Sequence, residues 1–411
     1  MSDLDVTVVL PVHNAMPYLT ACLDSLAGQS IRRRAGGGLE VVAVDSGSTD
    51  GGGAELCAFA ARHPGLLRVV HQADSGGPAA PGNRAMELAR GRYLFFLGAD
   101  DRLGEEALER LVALADRAGS DVVLGRMVGV GGRQVPQGIF DASRDRVGFT
   151  DSALAWALSD AKLFRRELVE RYGLRKREDL PAYSDQPFTL EACLRSRRIS
   201  VLADYDCYYA VLREDRANLT VRRARHEDRL RGVAAMLDVA QRLAEPGAER
   251  AALRSRAFRW EVPQLLAPDF LALPEPTQRR LCAGVGRLVE LHCGEAGLAE
   301  LPVRDRLRLD LARRGRVAAL RRLIRYQAAY GESSQPPAPQ QATPEQAAPQ
   351  PVAELPVAEL PVPVPVQVWR RLVPAQVRRR LHRRSAWRDF TARTYQRWLS
   401  AAEAPISKAG T

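Results

Sequence analysis

The sequence predicts an α/β protein in which a mainly parallel, doubly wound domain is followed by an all-helical region. Three observations carry this prediction. Short apolar runs alternate with helical periodicity over the first 130 residues, the signature of repeated strand-helix units. Residues 222–330 are helical in pattern nearly throughout, rich in Ala, Leu and Arg, with breaks at Pro246, Pro263, Pro268, Pro274 and Pro302. Residues 333–366 hold 10 prolines and the tandem VAELPVAELP, a composition that cannot sustain helix or ladder hydrogen bonds and reads as an extended linker.

The expected strands are 6–10, 39–44, 67–71, 93–97 and 121–125, apolar runs of strand length. Between them, helical periodicity covers 15–26, 53–62, 81–89 and 105–118. The pattern loosens after 130 and returns to helix and strand at 160–172, 185–196 and 199–203. The expected domains are therefore 1–220 for the α/β part, 221–332 for the helical part, 333–366 for the linker and 367–411 for a tail. In that tail Trp369, Leu372, Val373, Val377 and Leu381 fall at helical spacing among 11 basic and 2 acidic residues. An amphipathic basic helix of this kind suits a membrane surface or a partner.

With 411 residues and 46% apolar content, the chain has material for a large core, which excludes a wholly disordered or fibrous protein. The longest apolar runs are strand-sized pieces such as YLFFLGA, too short for a membrane-spanning helix. The opening MSDLDVTVVLPVHN lacks a basic start and a small-residue cleavage site, so a cytoplasmic protein is expected. Cys22, Cys57, Cys193, Cys207, Cys282 and Cys293 form no CxxC pair, which indicates neither a disulfide framework nor a zinc site. The net charge of +11 is unevenly placed: residues 1–220 carry 27 basic and 30 acidic side chains, residues 221–411 carry 33 and 19. A polyanionic partner for the second half fits this asymmetry, as does a merely solvated arginine-rich surface. With 6% aromatic residues and no stacking-type aromatic-basic motif, a nucleic-acid partner is disfavoured.

In a doubly wound fold ligands bind beyond the carboxyl ends of the strands, and the informative residues sit there. The first strand runs into Pro11, Val12, His13 and Asn14, and the second into Asp45, Ser46, Gly47, Ser48, Thr49 and Asp50. An acid after a buried strand, followed by small hydroxyl residues and glycine, is one way to hold a base or ribose; Ser48, Thr49 and Asp50 also suit a helix cap. No GxGxxG follows the first strand, which disfavours a nicotinamide or flavin enzyme. The fourth strand ends in Gly98, Ala99, Asp100 and Asp101. Two adjacent carboxylates at the end of an apolar strand repel each other and lose solvation, so a divalent cation, Mg or Mn, is implied, with a nucleotide diphosphate filling its shell. Asp185 opens a helix and is either an N-cap or a general base.

The order PVHN, VAVDSGSTDG, GNRAMELARGRYLFFLGADD, SDAKLFRREL and SDQPF resembles the inverting family 2 glycosyltransferases of the GT-A fold over roughly residues 4–220. The resemblance implies a UDP-sugar donor, with Asp45 near the uracil, Asp100 and Asp101 serving ribose and metal, and Asp185 deprotonating the acceptor hydroxyl. Pro11, His13 and Asn14 would line the nucleotide pocket, and Asn83 matches the asparagine of the family's usual Arg-Asn pair. Departures are visible: Ser46 and Gly98 stand where the family often has a further carboxylate, Gly82 where it has arginine, and Ser184 where it has glutamate.

The tracts between 124 and 215 resemble the enzymes that attach N-acetylglucosamine to the poly(ribitol phosphate) of wall teichoic acid. That likeness implies an anionic glycopolymer acceptor, matching the basic second half, and a C-terminal region that forms homo-oligomers, often trimers. Arg213, after the last strand, is a candidate for the diphosphate or polymer and equally a surface arginine. The expected protein is thus a glycosyltransferase with a divalent metal, cytoplasmic or at the inner face of a membrane through its basic tail. Transfer to another wall or capsular polysaccharide, and a catalytically weakened nucleotide-binding scaffold, are the competing readings.

Overall fold

The computed structural model describes residues 4–33, 38–215, 217–218 and 225–330; the linker 333–366 and the tail 367–411 lie outside the described residues. Two compact units are present, the first reaching Leu265 and the second beginning at Leu266. The expected boundary at 220/221 therefore falls inside the first unit, which keeps three further α-helices.

The first unit follows the alternation of the sequence. Its opening elements are β1 (Val6–Val12), α1 (Tyr18–Ala27), β2 (Leu39–Ser46), α2 (Gly52–Arg62), β3 (Leu67–Gln72), α3 (Ala79–Leu88) and β4 (Tyr93–Phe96). They continue as β5 (Arg102–Leu103), α4 (Ala107–Ala118), β6 (Val122–Val130), β7 (Leu163–Arg165), α5 (Arg166–Arg171), α6 (Asp185–Arg195) and β8 (Ile199–Val211). The helices α7 (His226–Leu243), α8 (Ala248–Arg256) and α9 (Val262–Gln264) complete it. β1 and β2 are buried almost throughout, as central parallel strands covered on both faces must be, and this is why their sequences are continuous apolar runs.

The eight strands form one sheet in the order β3-β2-β1-β4-β7-β6-β8-β5. β1 runs parallel to β2 and β4, β2 to β3, and β6 to β8. β7 is antiparallel to both β4 and β6 and separates them. The segment 160–172 is therefore not one element but β7 followed by α5. Leu163 and Phe164 are fully buried, and filling the slot between β4 and β6 outweighs local periodicity. β8 is also longer than expected, 13 residues against 199–203. Its second half is mixed, with Asp204 exposed and Cys207 and Tyr208 buried, and the ladder to β6 shifts register around Arg126 as at a β-bulge.

α7 stays with the first unit because it packs on α6. A Cβ on Gly232 of α7 would lie 2.6 Å from the Cβ of Tyr183, so only glycine admits the turn before α6. Tyr183 itself has φ +61°, a left-handed conformation uncommon for a bulky residue.

The second unit holds α10 (Glu275–Leu288), α11 (Gly294–Ala299), α12 (Val303–Arg313) and α13 (Val317–Tyr330). Leu281, Val285, Leu309, Leu320 and Ile324 are fully buried in its core. Buried Arg308 donates to the Leu266 carbonyl at 3.0 Å and to Gln327 Oε1 at 2.6 Å. Among the described residues, no helix is long and apolar enough to cross a membrane.

Candidate active site

β1, β2 and β4 are mutually parallel, so their carboxyl ends share one edge of the sheet, and the loops leaving that edge carry His13 to Asn14, Asp45 to Asp50 and Asp100 to Asp101. The first two loops are zipped together. His13 Nδ1 lies 2.7 Å from the Ser46 carbonyl; a carbonyl only accepts, so Nδ1 carries the proton and Nε2 accepts from Asn14 Nδ2 at 3.2 Å. Asn14, at φ +47°, donates its N–H to Ser48 Oγ at 3.1 Å and accepts the Thr49 N–H at 2.8 Å. Asp50 accepts the Met16 N–H at 2.7 Å and the Gly52 N–H at 3.0 Å. Pro11, the last residue but one of β1, is half-buried.

Asp45 is 6% exposed. It accepts the Ser48 N–H at 3.1 Å and faces His71 Nδ1 at 3.1 Å. Burial works against its ionisation, but the hydrogen bonds from Ser48 and His71 outweigh it and hold its pKa below the usual aspartate value. His71 enters through sheet register, opposite Asp45 on β3. The loop needs its glycine: at Gly47, φ +70°, a Cβ would approach the Asp74 amide to 2.9 Å.

The doublet after β4 is held by the far end of β8. Asp101 accepts the Tyr208 hydroxyl at 2.5 Å and the Val211 N–H at 2.7 Å. Asp100 accepts Asn218 Nδ2 at 2.7 Å, and Asn218 in turn bonds the Val211 carbonyl at 2.9 Å and accepts the Arg213 N–H at 2.9 Å. Desolvation raises the pKa of both acids, and the Asp100 charge raises that of Asp101 further, while Arg213 and Arg133 pull Asp100 back. A Cβ on Gly98 would sit 2.7 Å from Asp101 Oδ2 and 3.2 Å from Asp100 Oδ1, so both carboxylates fold over one bare turn. Two half-buried, mutually repelling carboxylates at such a turn fit a divalent cation that keeps water or phosphate oxygens. Among the described residues, no group of three or more His, Cys, Asp and Glu gathers as a closed metal site.

Arg213 joins this group. Its guanidinium donates to the Asn14 carbonyl at 3.0 Å, pairs with Asp215 at 2.8 Å and lies 5.3 Å over the Tyr18 ring. It thus ties the end of β8 to the loop after β1.

Asp185 is the first residue of α6, with Ser184 at the N-cap making no side-chain cap bond. Its pKa is pushed up to about 6, by burial first and by the Asp160 charge next, against the opposing charges of Lys176 and Lys162. Its helix is anchored near the doublet by aromatic packing: Phe188 of α6 stacks edge-on with Phe96 of β4 at 5.4 Å and with Phe164 of β7 at 5.4 Å. Asn83 is 5% exposed, and its amide is spent on the chain ahead of Asp185. It donates to the Lys176 carbonyl at 2.9 Å and to Glu178 at 2.8 Å, and accepts the Lys176 N–H at 2.9 Å. Its link to the site therefore runs through the main chain of Lys176.

Tyr208, Asn218, His71, Lys176, Asp160 and Lys162 were not singled out by the sequence: Tyr208 and His71 reach their partners across the sheet, and the other four lie in connecting segments whose course the local pattern does not give. A cavity of about 460 Å³ lined by Arg110, Arg117, Asp145 and Asp204 shares no residue with this group.

Comparison with known proteins accords with this geometry. The glycosyl transferase family 2 profile matches residues 7–173, and the glycosyl transferase TarS linker domain matches residues 226–324. The poly(ribitol-phosphate) beta-glucosyltransferase of Bacillus spizizenii is 34% identical over 211 residues, 51% of this chain and 33% of that protein. The poly(ribitol-phosphate) beta-N-acetylglucosaminyltransferase TarS of Staphylococcus aureus is 36% identical over 211 residues, 51% of this chain and 36% of that protein. The matched region spans about a third of these relatives. The crystal structure of S. aureus TarS 1–349 in complex with UDP-GlcNAc superposes with a TM-score of 0.67 at 27% identity, covering 79% of this chain and 92% of that one. Residues 7–173 match the family 2 glycosyltransferases and residues 226–324 the TarS linker domain, so the chain carries a GT-A-like α/β domain followed by a helical domain of the TarS linker kind.

Proposed function

We propose that this protein is an inverting glycosyltransferase that moves a sugar, N-acetylglucosamine foremost, from its UDP-linked donor to a hydroxyl of an anionic wall polymer of the poly(ribitol phosphate) type. The observation that carries the proposal is the match along both folded parts to a structure solved with UDP-GlcNAc, joined to three acidic positions on the ligand edge of the sheet. The basic excess of residues 221–411 supports a phosphodiester acceptor, since clustered arginines gain affinity for a polyanion through counterion release.

In the mechanism, the acceptor oxygen attacks the anomeric carbon from the face opposite the leaving group. Its bond to that carbon forms as the bond from the carbon to the UDP oxygen breaks, and the electron pair leaves with UDP. Asp185 takes the hydroxyl proton, for which a pKa of about 6 suits a base working near neutral pH. Inversion follows from single displacement. Asp100 and Asp101 would hold Mn or Mg, which when bound supplies positive charge against the diphosphate. Pro11, His13, Asn14 and Asp45 form the nucleotide side of the pocket in this reading, with Arg213 a further countercharge for the diphosphate. Assembly as a homo-oligomer, a trimer, and peripheral contact of the tail 367–411 with the inner face of a membrane belong to the same proposal. Light scattering and vesicle flotation of the full chain test them.

The functional test is a screen of UDP-sugars with and without Mn against poly(ribitol phosphate) and other wall polymers, with mass detection of product. The expected result is addition of N-acetylglucosamine to poly(ribitol phosphate). Addition only to an uncharged polysaccharide would overturn the acceptor, and UDP binding with no transfer to any polymer would favour a scaffold.

A further inference from the structure

Position 82 of α3 is glycine inside a helix, the least favourable residue there apart from proline, and the space above it is in use. A Cβ at Gly82 would lie 3.4 Å from Lys176 Nζ and 3.5 Å from Lys176 Cδ. The Lys176 side chain, 3% exposed, pairs there with Asp160, and its ammonium sits 4.2 Å from the centroid of the Phe96 ring. Its main chain is gripped on both sides by Asn83. A lysine so buried is rare unless paired, and here an acid, an aromatic face and a cleared helix position all hold one ammonium in place.

From this geometry we propose that Lys176 is a positioning residue that, with Asp160, sets the charge state of Asp185, and that a side chain longer than alanine at position 82 would compete with its ammonium for that space. The inference rests on the reading of Asp185 as the base. Charges that face Asp185 come from several segments. Asp160 and Lys162 precede β7, and Lys176 and Tyr183 lie in the segment before α6; the Phe96 ring beside the Lys176 ammonium also packs on Phe188 in the first turn of α6, while Arg229 on α7 and Glu261 just after α8 act on Tyr183 and Arg256 on α8 acts on Lys162. Lys176 and Lys162 favour the ionised carboxylate, whereas Asp160 opposes it. Arg256 is engaged with Glu261 at 3.0 Å, which leaves Lys176 and Asp160 as an adjustable pair of opposite sign. Lys162, buried with its pKa lowered to about 8, stays constant in the comparisons below.

The test is the acid limb of the kcat/KM profile for sugar transfer, measured on the full chain with UDP-GlcNAc. Removing the cation in Lys176→Met should move that limb up by about one pH unit or more, whereas removing the like charge in Asp160→Asn should move it down. Placing a cation back from the helix, Gly82→Arg in the Lys176→Met background, should return the limb toward wild type. A purely structural role would lower the rate of both single variants without moving their limbs in opposite directions, and that result overturns the proposal. So does an unmoved limb in Asp160→Asn, which serves if Lys176→Met does not fold. Asp185→Asn separates the two ideas. If it keeps transferring sugar, the reading of the base is wrong; if it does not, and the single variants leave the limb fixed, only the role of Lys176 is.

Discussion

Replacing Tyr208 by Phe removes one oxygen that serves two half-buried partners. The hydroxyl donates to Asp101 Oδ2 at 2.5 Å and accepts the Gly98 N–H at 3.2 Å, while the ring, 6.4 Å from Phe95, stays in place. A hydrogen bond to a charged acceptor contributes about 1.5–3 kcal/mol, and a buried amide left without its acceptor costs about 1–3 kcal/mol. The first figure corresponds to about one to two further pH units of upward shift at Asp101. Burial and Asp100 already hold the folded pKa of Asp101 above the ordinary aspartate value. A carboxyl raised in this way makes the fold less stable at pH above the folded pKa and leaves it unaffected below the unfolded one. The variant enlarges that penalty, so its loss of stability should be greater at pH 8 than at pH 5. For a unit of this size the total corresponds to a thermal midpoint lower by about 5–10 °C at pH 8. Weaker support of the ionised doublet should also raise the Mn concentration needed for half-maximal UDP release by about tenfold or more. Scanning fluorimetry at the two pH values and a Mn titration of turnover measure both quantities. A variant with the wild-type midpoint at both pH values and an unchanged Mn response would refute the role assigned to Tyr208.

Asn83→Ala should cost about 2–4 kcal/mol in denaturant unfolding, because it strips the acceptor of the buried Lys176 N–H and a donor from its carbonyl; a loss below about 0.5 kcal/mol would mean the clamp is dispensable. Phe188→Ala opens the cluster of Phe96, Phe164 and Phe188 and should destabilise the first unit by about 3–5 kcal/mol, with proteolysis rates near residue 185 rising accordingly. The acid limb of kcat/KM should lie near pH 6, where Asp185 titrates, with the rate falling about tenfold per pH unit below it. A profile flat from pH 7 to pH 5 would disconnect Asp185 from the rate.

The strands β1, β2 and β4 were legible because burial on both faces demands continuous apolar runs, and their ends were legible because those runs stop at polar residues. Asp45, Asp100 and Asp101 stood out for the same reason, and Asp185 because it opens a helical pattern. β7 was not legible: three residues of strand carry no periodicity, and only the slot between β4 and β6 makes Leu163 and Phe164 a strand. The second half of β8 was hidden by its acidic exposed side chains. What fixes the candidate site was hardest to see. Tyr208, Val211 and Asn218 hold the doublet from more than 100 residues away, and Lys176, in the segment before α6, packs against Gly82 of α3. Arg213 was visible only as one of many arginines, and its bond to the Asn14 carbonyl depends on the curl of the chain after β8. The reading of the tail as a basic amphipathic helix for a membrane surface or a partner, with Trp369 and Leu372 on one helical stripe, lies outside the described residues.

Paired measurement of donor binding and single-turnover transfer in Asp185→Asn bears most directly on how the carboxylates share the work. Calorimetry should give a UDP-sugar Kd within about twofold of wild type, while the rate of sugar transfer falls by about 10²–10⁴-fold. Transfer at a rate close to wild type, or loss of donor binding together with loss of transfer, would contradict a proton-accepting role for Asp185 distinct from the donor pocket.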